Sequence, residues 1–169
     1  MTNQDQPRWP GWIGLPIVKA KYFGSQTTIP CGIVIHSGHA LPNVAEYISN
    51  PTTKNAKGDT VPNKVSYHIA WSDKVNDFVQ CVSLKKRAYH AGVRGNDWIG
   101  IAFPGPWSEN PREIKQLDGF DRAMKLLLYN MPMIKYWARH SDFQDGKKDP
   151  GPGFHDQWIE RYGLKRQNP

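Results

Sequence analysis

Residues 139–154 read RHSDFQDGKKDPGPGF, and the construction of this stretch decides where the rest of the chain must go. It follows an alternating run, Ile134 to Ala138, with the period of a β-strand, so His140 stands at a strand end. Asp149 comes nine residues later, in a segment with two lysines, three glycines and two prolines. Histidine is the commonest metal-binding side chain, and a carboxylate on a loop stiffened by Pro150 and Pro152 returns to the same ion at little entropic cost. Asp142 and Asp145 are equally available by composition, so the residues alone leave the carboxylate open. A third ligand has to come from elsewhere. His36 is the natural donor, because it ends the apolar run GIVIH and function on mixed sheets gathers just beyond the carboxyl ends of strands. Two histidines and one carboxylate with an open position form a catalytic zinc arrangement.

Two histidines delivered by strands far apart in sequence call for a sheet, and the remaining patterns agree. Cys31 to Ile35 is a continuous apolar run suited to a strand buried on both faces, delivering His36 into a loop. Val65 to Trp71 alternates, with Tyr67 and His68 on opposite faces of a regular strand. Phe78 to Val82, Lys86 to Tyr89 and Trp98 to Phe103 read as further strands, the last closed by Pro104-Gly105-Pro106. Leu41 to Ile48 has helical spacing and stops at Asn50-Pro51. The clearest helix starts at Asn110, with Pro111 at its first position and Glu113 in a capping-box spacing. Its apolar face carries Ile114, Leu117, Phe120, Met124, Leu127 and Leu128, and Gly119 within it costs about 1 kcal/mol unless close packing needs it. His155 to Tyr162 predicts a last helix and a basic tail. Thr52 to Asn63 reads as a polar surface loop. The fold class is therefore α/β, one domain with a central mixed sheet flanked by helices and the metal site in a groove at strand ends. Residues 1–30, with four prolines, read as an irregular arm packed on a domain of residues 31–169.

A chain of 169 residues buries roughly 70% of its unfolded surface as one domain. The net charge of +7 points to anionic partners: nucleic acid, a membrane surface or an acidic envelope polymer. Nucleic acid is set aside because the lysines and arginines are spread along the chain rather than clustered. The start, MTNQDQPRWPGW, lacks the basic and apolar regions of a secretory signal, so synthesis in the cytoplasm is expected. Cys31 and Cys81 sit in apolar settings and read as two buried free thiols. The His36-x-x-His39 pair lacks the glutamate of the helical zinc-protease motif and is weak. Lys147 and Lys148 beside Asp149 are either solvated charges or, near a metal, stabilisers of an oxyanion.

Taken together, IVIHSG (33–38), VSYH (65–68), AYHAG (88–92), NDWIGIAF (96–103) and RHSD followed by KKDPGP (139–152) resemble the zinc-dependent type 2 N-acetylmuramoyl-L-alanine amidases. That family includes phage endolysins, wall-recycling amidases and peptidoglycan recognition proteins. The resemblance implies one zinc ion held by His36, His140 and Asp149, choosing the carboxylate by the DPGP that begins with it. It implies catalytic roles for Tyr67 and Lys147 and places His90 and Asn96 along the substrate groove. Ala102 stands where many recycling-type members carry a glutamate, which moves the reading toward the endolysin branch, and the loop from His140 to Asp149 is one residue shorter than common forms. The implied reaction is hydrolysis of the amide between N-acetylmuramic acid and L-alanine in peptidoglycan. The expected protein is a monomer that acts on the cell wall after membrane permeabilisation. A non-catalytic peptidoglycan-binding protein and a recycling amidase are the alternatives.

Overall fold

The computed structural model describes residues 9–37, 43–105 and 114–168. In chain order the elements are β1 (Gly24–Ser25), β2 (Gly32–Ser37), α1 (Val44–Ser49), β3 (Thr52–Lys54), β4 (Thr60–Pro62), β5 (Ile69–Ser72), β6 (Asp77–Gln80) and β7 (Lys86–Arg87). There follow α2 (Gly92–Gly95), β8 (Ile99–Phe103), α3 (Ile114–Asn130), β9 (Tyr136–Arg139), α4 (His140–Phe143), α5 (Gln157–Glu160) and β10 (Lys165–Arg166). Six strands form one mixed sheet in the order β10-β9-β2-β8-β5-β6, parallel throughout except for the antiparallel β5–β6 pair. The central strands β2 and β8 are buried at every residue, which explains their continuous apolar sequences.

The alternation of side chains along each strand sorts the core into two layers. On one face Ile33, Ile35, Ile69, Trp71, Ile99, Ile101 and Phe103 pack with Phe120, Met124 and Leu127 of α3. Gly119 lets that helix approach, since a Cβ there would stand 2.5 Å from Asp77 Oδ1 and 3.3 Å from the Phe78 ring. On the other face Ala70, Val79 and Ala102 pack with Val44, Ala45 and Ile48 of α1. The residues facing α1 are small, and His36 stands among them in register with Ala102. Among the described residues no helix is long and apolar enough to cross a membrane.

Several expectations change. β2 runs through Ser37, so His36 lies inside the strand end rather than in a loop. Thr52 to Asn63 is not a plain loop but an exposed hairpin, β3 with β4; its solvated strands carry no apolar alternation to read. β5 starts only at Ile69, because the His68 carbonyl accepts from both Cys81 and Val82 N–H at 2.8 and 3.3 Å, a bulge-like pairing that breaks the regular alternation. β7 pairs with β1 outside the main sheet, and the basic tail supplies the edge strand β10. The predicted last helix shrinks to α5. Cys81 is buried but Cys31 is exposed, and both are free. Residues 16–20 run along β6 and the residue after it, with Gln80 N donating to Pro16 O at 2.8 Å and Ala20 N to Cys81 O at 3.0 Å. His39, Leu41, Pro106 and the N-cap residues Asn110, Pro111 and Glu113 lie outside the described residues.

Candidate metal centre

Parallel register brings the two histidines together. Ile35 of β2 pairs with Arg139 of β9, so the next residues, His36 and His140, are neighbours on the face that packs against α1. Their rings are 4.5 Å apart between centroids. His140 begins α4, whose first turn is fixed by the Arg139 N–H donating to Asp142 Oδ2 at 2.8 Å. The return of Asp149 is held from two sides. Ser141 N donates to the Asp149 carbonyl at 3.2 Å. The Arg139 guanidinium donates to the carbonyls of Gly151 and Phe154 at 3.2 and 2.9 Å and also grips Asp156. The loop that composition marked as a site is thus tied back to the strand that precedes it.

The Asp149 carboxylate reaches both rings. Its Oδ2 is 3.2 Å from His36 Nδ1, and Oδ1 and Oδ2 are 2.9 and 3.0 Å from His140 Nδ1. Burial opposes ionisation of this carboxyl, but the two facing histidines outweigh it and hold it well below the usual carboxylate range. Burial dominates at His36, lowering its pKa to about 4 against the opposing pull of Asp149, so the ring is neutral near pH 7. All three side chains are buried, and one ligand atom from each lies within 4.8 Å of the others. Each histidine uses its second ring nitrogen elsewhere: His36 Nε2 meets His90 Nδ1 at 3.0 Å, and His140 Nε2 meets the Gln144 carboxamide oxygen. Two imidazoles, each with one nitrogen engaged and the other aimed at an ionised carboxylate, fit the donor set of a catalytic zinc site and its supporting shell.

A cavity of about 280 Å³ opens over this cluster, with Tyr67, His90, His140, Lys147 and Asp149 in its lining. Tyr67 lies 5.0 Å from the His36 ring. Burial, then the Asp149 charge, push its phenol ionisation upward, so Tyr67 stays protonated. His68 points away and is saturated: Nε2 donates to Lys86 O at 2.9 Å and Nδ1 accepts from Gly100 N–H at 3.1 Å. Lys147 is exposed at the rim. Asn96 is not among the residues lining the cavity; its Oδ1 accepts from the backbone N–H groups of His90 and Ala91 at 2.7 and 2.8 Å. Gln144, which the sequence reading did not single out, lines the cavity and engages His140. Its spacing of one helical turn from His140 was the available signal.

The chain resembles known proteins in sequence and in fold. The model of the N-acetylmuramoyl-L-alanine amidase family matches residues 26–152. No curated protein sequence matches significantly. Among solved structures, a selenomethionine derivative of AmpD is similar over 91% of this chain and 97% of its own, at 23% identity and a TM-score of 0.71. The amidase endolysin LysCS from Clostridium intestinale covers 88% and 96%, at 20% identity and a TM-score of 0.64. Human PGRP-IBETAC, solved with glycosamyl muramyl pentapeptide, covers 92% and 94%, at 13% identity and a TM-score of 0.62. These likenesses share the fold, and the family match spans most of the chain and all three candidate ligands: the protein belongs to the N-acetylmuramoyl-L-alanine amidase family.

Proposed function

We propose that the protein is a zinc-dependent peptidoglycan amidase that hydrolyses the amide between the lactyl group of N-acetylmuramic acid and the L-alanine of the stem peptide. The observation that carries this reading is the convergence of His36, His140 and Asp149 beneath a cavity that Tyr67 and Lys147 also line. His36 and His140, through Nδ1, and Asp149 would hold one Zn²⁺. When bound, the ion supplies Lewis acidity, polarising a carbonyl and bringing the pKa of water toward about 7. Tyr67, kept as a neutral phenol, orients the attacking water by hydrogen bonding and does not serve as its base. The Lys147 ammonium stabilises negative charge on the carbonyl oxygen as the carbon becomes tetrahedral, and assists departure of the alanine amine by giving it a proton. His90 and Asn96 belong to the groove region, with Asn96 acting through the backbone it braces.

The catalytic unit on this reading is residues 31–169, with residues 1–30 as an arm packed on it. Ala102, facing the site beside His36, leaves no carboxylate for proton transfer at that position and favours an endolysin role over wall recycling. Such a protein, monomeric and carrying a net charge of +7, would be made in the cytoplasm and reach an anionic envelope after membrane permeabilisation. Mass spectrometry of purified peptidoglycan digested by the protein tests the reaction. Free stem peptides beginning with L-alanine, lost on chelation and restored by zinc, are the expected products. Peptidoglycan that retains the protein but stays intact would replace the enzyme reading with that of a binding protein.

A further inference from the structure

His90 stands behind the ligand cluster as well as beside the groove. Its ring meets His36 nearly perpendicular, at 5.0 Å between centroids. His90 Nδ1 is 3.0 Å from His36 Nε2, and His90 Nε2 is 3.1 Å from the carbonyl oxygen of Trp98. A carbonyl oxygen only accepts, so the His90 proton sits on Nε2. His90 Nδ1 is left to face His36 Nε2 as an acceptor, and the proton in that hydrogen bond comes from His36 Nε2–H. With Nε2 engaged in this way, the ring nitrogen of His36 that offers a lone pair to an ion is Nδ1, which lies 3.2 Å from Asp149 Oδ2.

The geometry around His90 keeps this polarity fixed. Asn96 Oδ1 pins the backbone on either side of the His90 α-carbon by accepting from the His90 and Ala91 N–H groups. Gly100 of β8 lies directly under the ring: a Cβ there would stand 2.7 Å from two ring carbons and 2.9 Å from Nδ1. Both ring nitrogens of His90 are engaged, which leaves neither to bind substrate.

We propose that His90 is a positioning residue of the metal centre. A relay from the Trp98 carbonyl through His90 to His36 fixes His36 as the Nε2–H tautomer and presents its Nδ1 lone pair to the ion. This inference rests on the zinc reading above and assigns a role within it. Outer-shell partners of ligating histidines typically change metal affinity by about 10–100-fold.

The test measures zinc affinity by competition with a fluorescent chelator in folded, zinc-free protein reloaded with the metal. His90→Phe fills the ring space without either nitrogen and is expected to weaken zinc binding by about 10–100-fold. His90→Asn, which keeps an acceptor near the place of Nδ1, is expected to recover part of that loss. Gly100→Ala, which retains every ligand and the His90 side chain but crowds that ring out of position, should weaken binding in the same direction and covers the case in which His90→Phe does not fold. Nitrogen-15 spectra of the zinc-loaded wild-type protein should show His90 protonated on Nε2 with a bare Nδ1. A His90 protonated on Nδ1, or wild-type zinc affinity in the folded variants, overturns the relay while leaving the zinc reading intact. A wild-type protein that binds no zinc overturns both.

Discussion

Asp149→Asn isolates the charge of the candidate metal centre at almost constant shape. The carboxamide fills the same volume on the same loop, and the contacts that seat that loop, from Arg139 and Ser141, do not involve the Asp149 side chain. What is lost is the negative charge facing two buried ring nitrogens at 2.9–3.2 Å. Removing one partner of a buried, closely contacting charge pair costs about 3–5 kcal/mol. At about 1.4 kcal/mol per decade, zinc affinity should fall by roughly two to four orders of magnitude. The metal-free protein should also be weakened. There the two facing histidines outweigh the desolvation of the wild-type carboxylate, so the metal-free variant should unfold at a lower denaturant concentration than the metal-free wild type. Titration of the zinc-free proteins with the metal at pH 7.5, paired with urea unfolding in chelator, reads both numbers. Zinc binding within threefold of wild type by the folded variant would refute the assignment of Asp149 as a ligand.

Lys147→Ala should bind zinc like the wild type while kcat on peptidoglycan drops by roughly 10²–10³, the scale of one lost oxyanion donor; an unchanged kcat would remove Lys147 from the chemistry. Tyr67→Phe should also keep zinc and lose turnover, with no loss of an alkaline limb in the pH–rate profile, because the phenol acts while protonated. Phe120→Ala, deep in the layer between α3 and the sheet, should cost about 3–5 kcal/mol in urea unfolding without altering zinc affinity in the folded protein. The metal-free protein should weaken in acid through its buried histidines. Burial depresses His36 and His68 to about 4 and His90 well below its ordinary value. The unfolded chain therefore takes up protons below about pH 6.5 that the folded chain refuses, so this stability is present above that pH and is lost as pH falls toward 4. Three such protons set an upper slope of roughly 4 kcal/mol per pH unit, and a urea midpoint that stays flat over this window would count against neutral, buried rings.

What could be read in the sequence was what burial imposes on it. β2 and β8 are covered on both faces and announced themselves as apolar runs; α3 declared its one buried face through the spacing of Phe120, Met124 and Leu127. The exposed hairpin β3–β4 and the edge strand β10 bury nothing continuous and left no such trace. Tyr67 and His68 appeared to oppose each other on a regular strand, and the doubled pairing at the His68 carbonyl, a backbone feature, is what the alternation did not show. For the site, residue types and strand ends pointed to His36 and His140, whereas the choice of Asp149 over Asp142 and Asp145 came from motif resemblance. The structure brings the first three together and gives Asp142 a different task, holding the start of α4. The Trp98 carbonyl behind His90 has no sequence signature, because every residue carries one.

The ion pairs of Arg166 give the last strand a mechanical meaning. Arg166 bonds Asp142 at 2.9 Å and Asp156 at 3.0 Å, and its ring-stacking partner is Trp137 on β9. A tether attached beyond residue 166 therefore pulls directly on β9, which seats His140, and through Arg166 on Asp142 of α4 and on Asp156. Protein immobilised by that end on a surface would carry its load through the metal centre's own support, and its activity should be sensitive to tension that a tether at another point would not transmit.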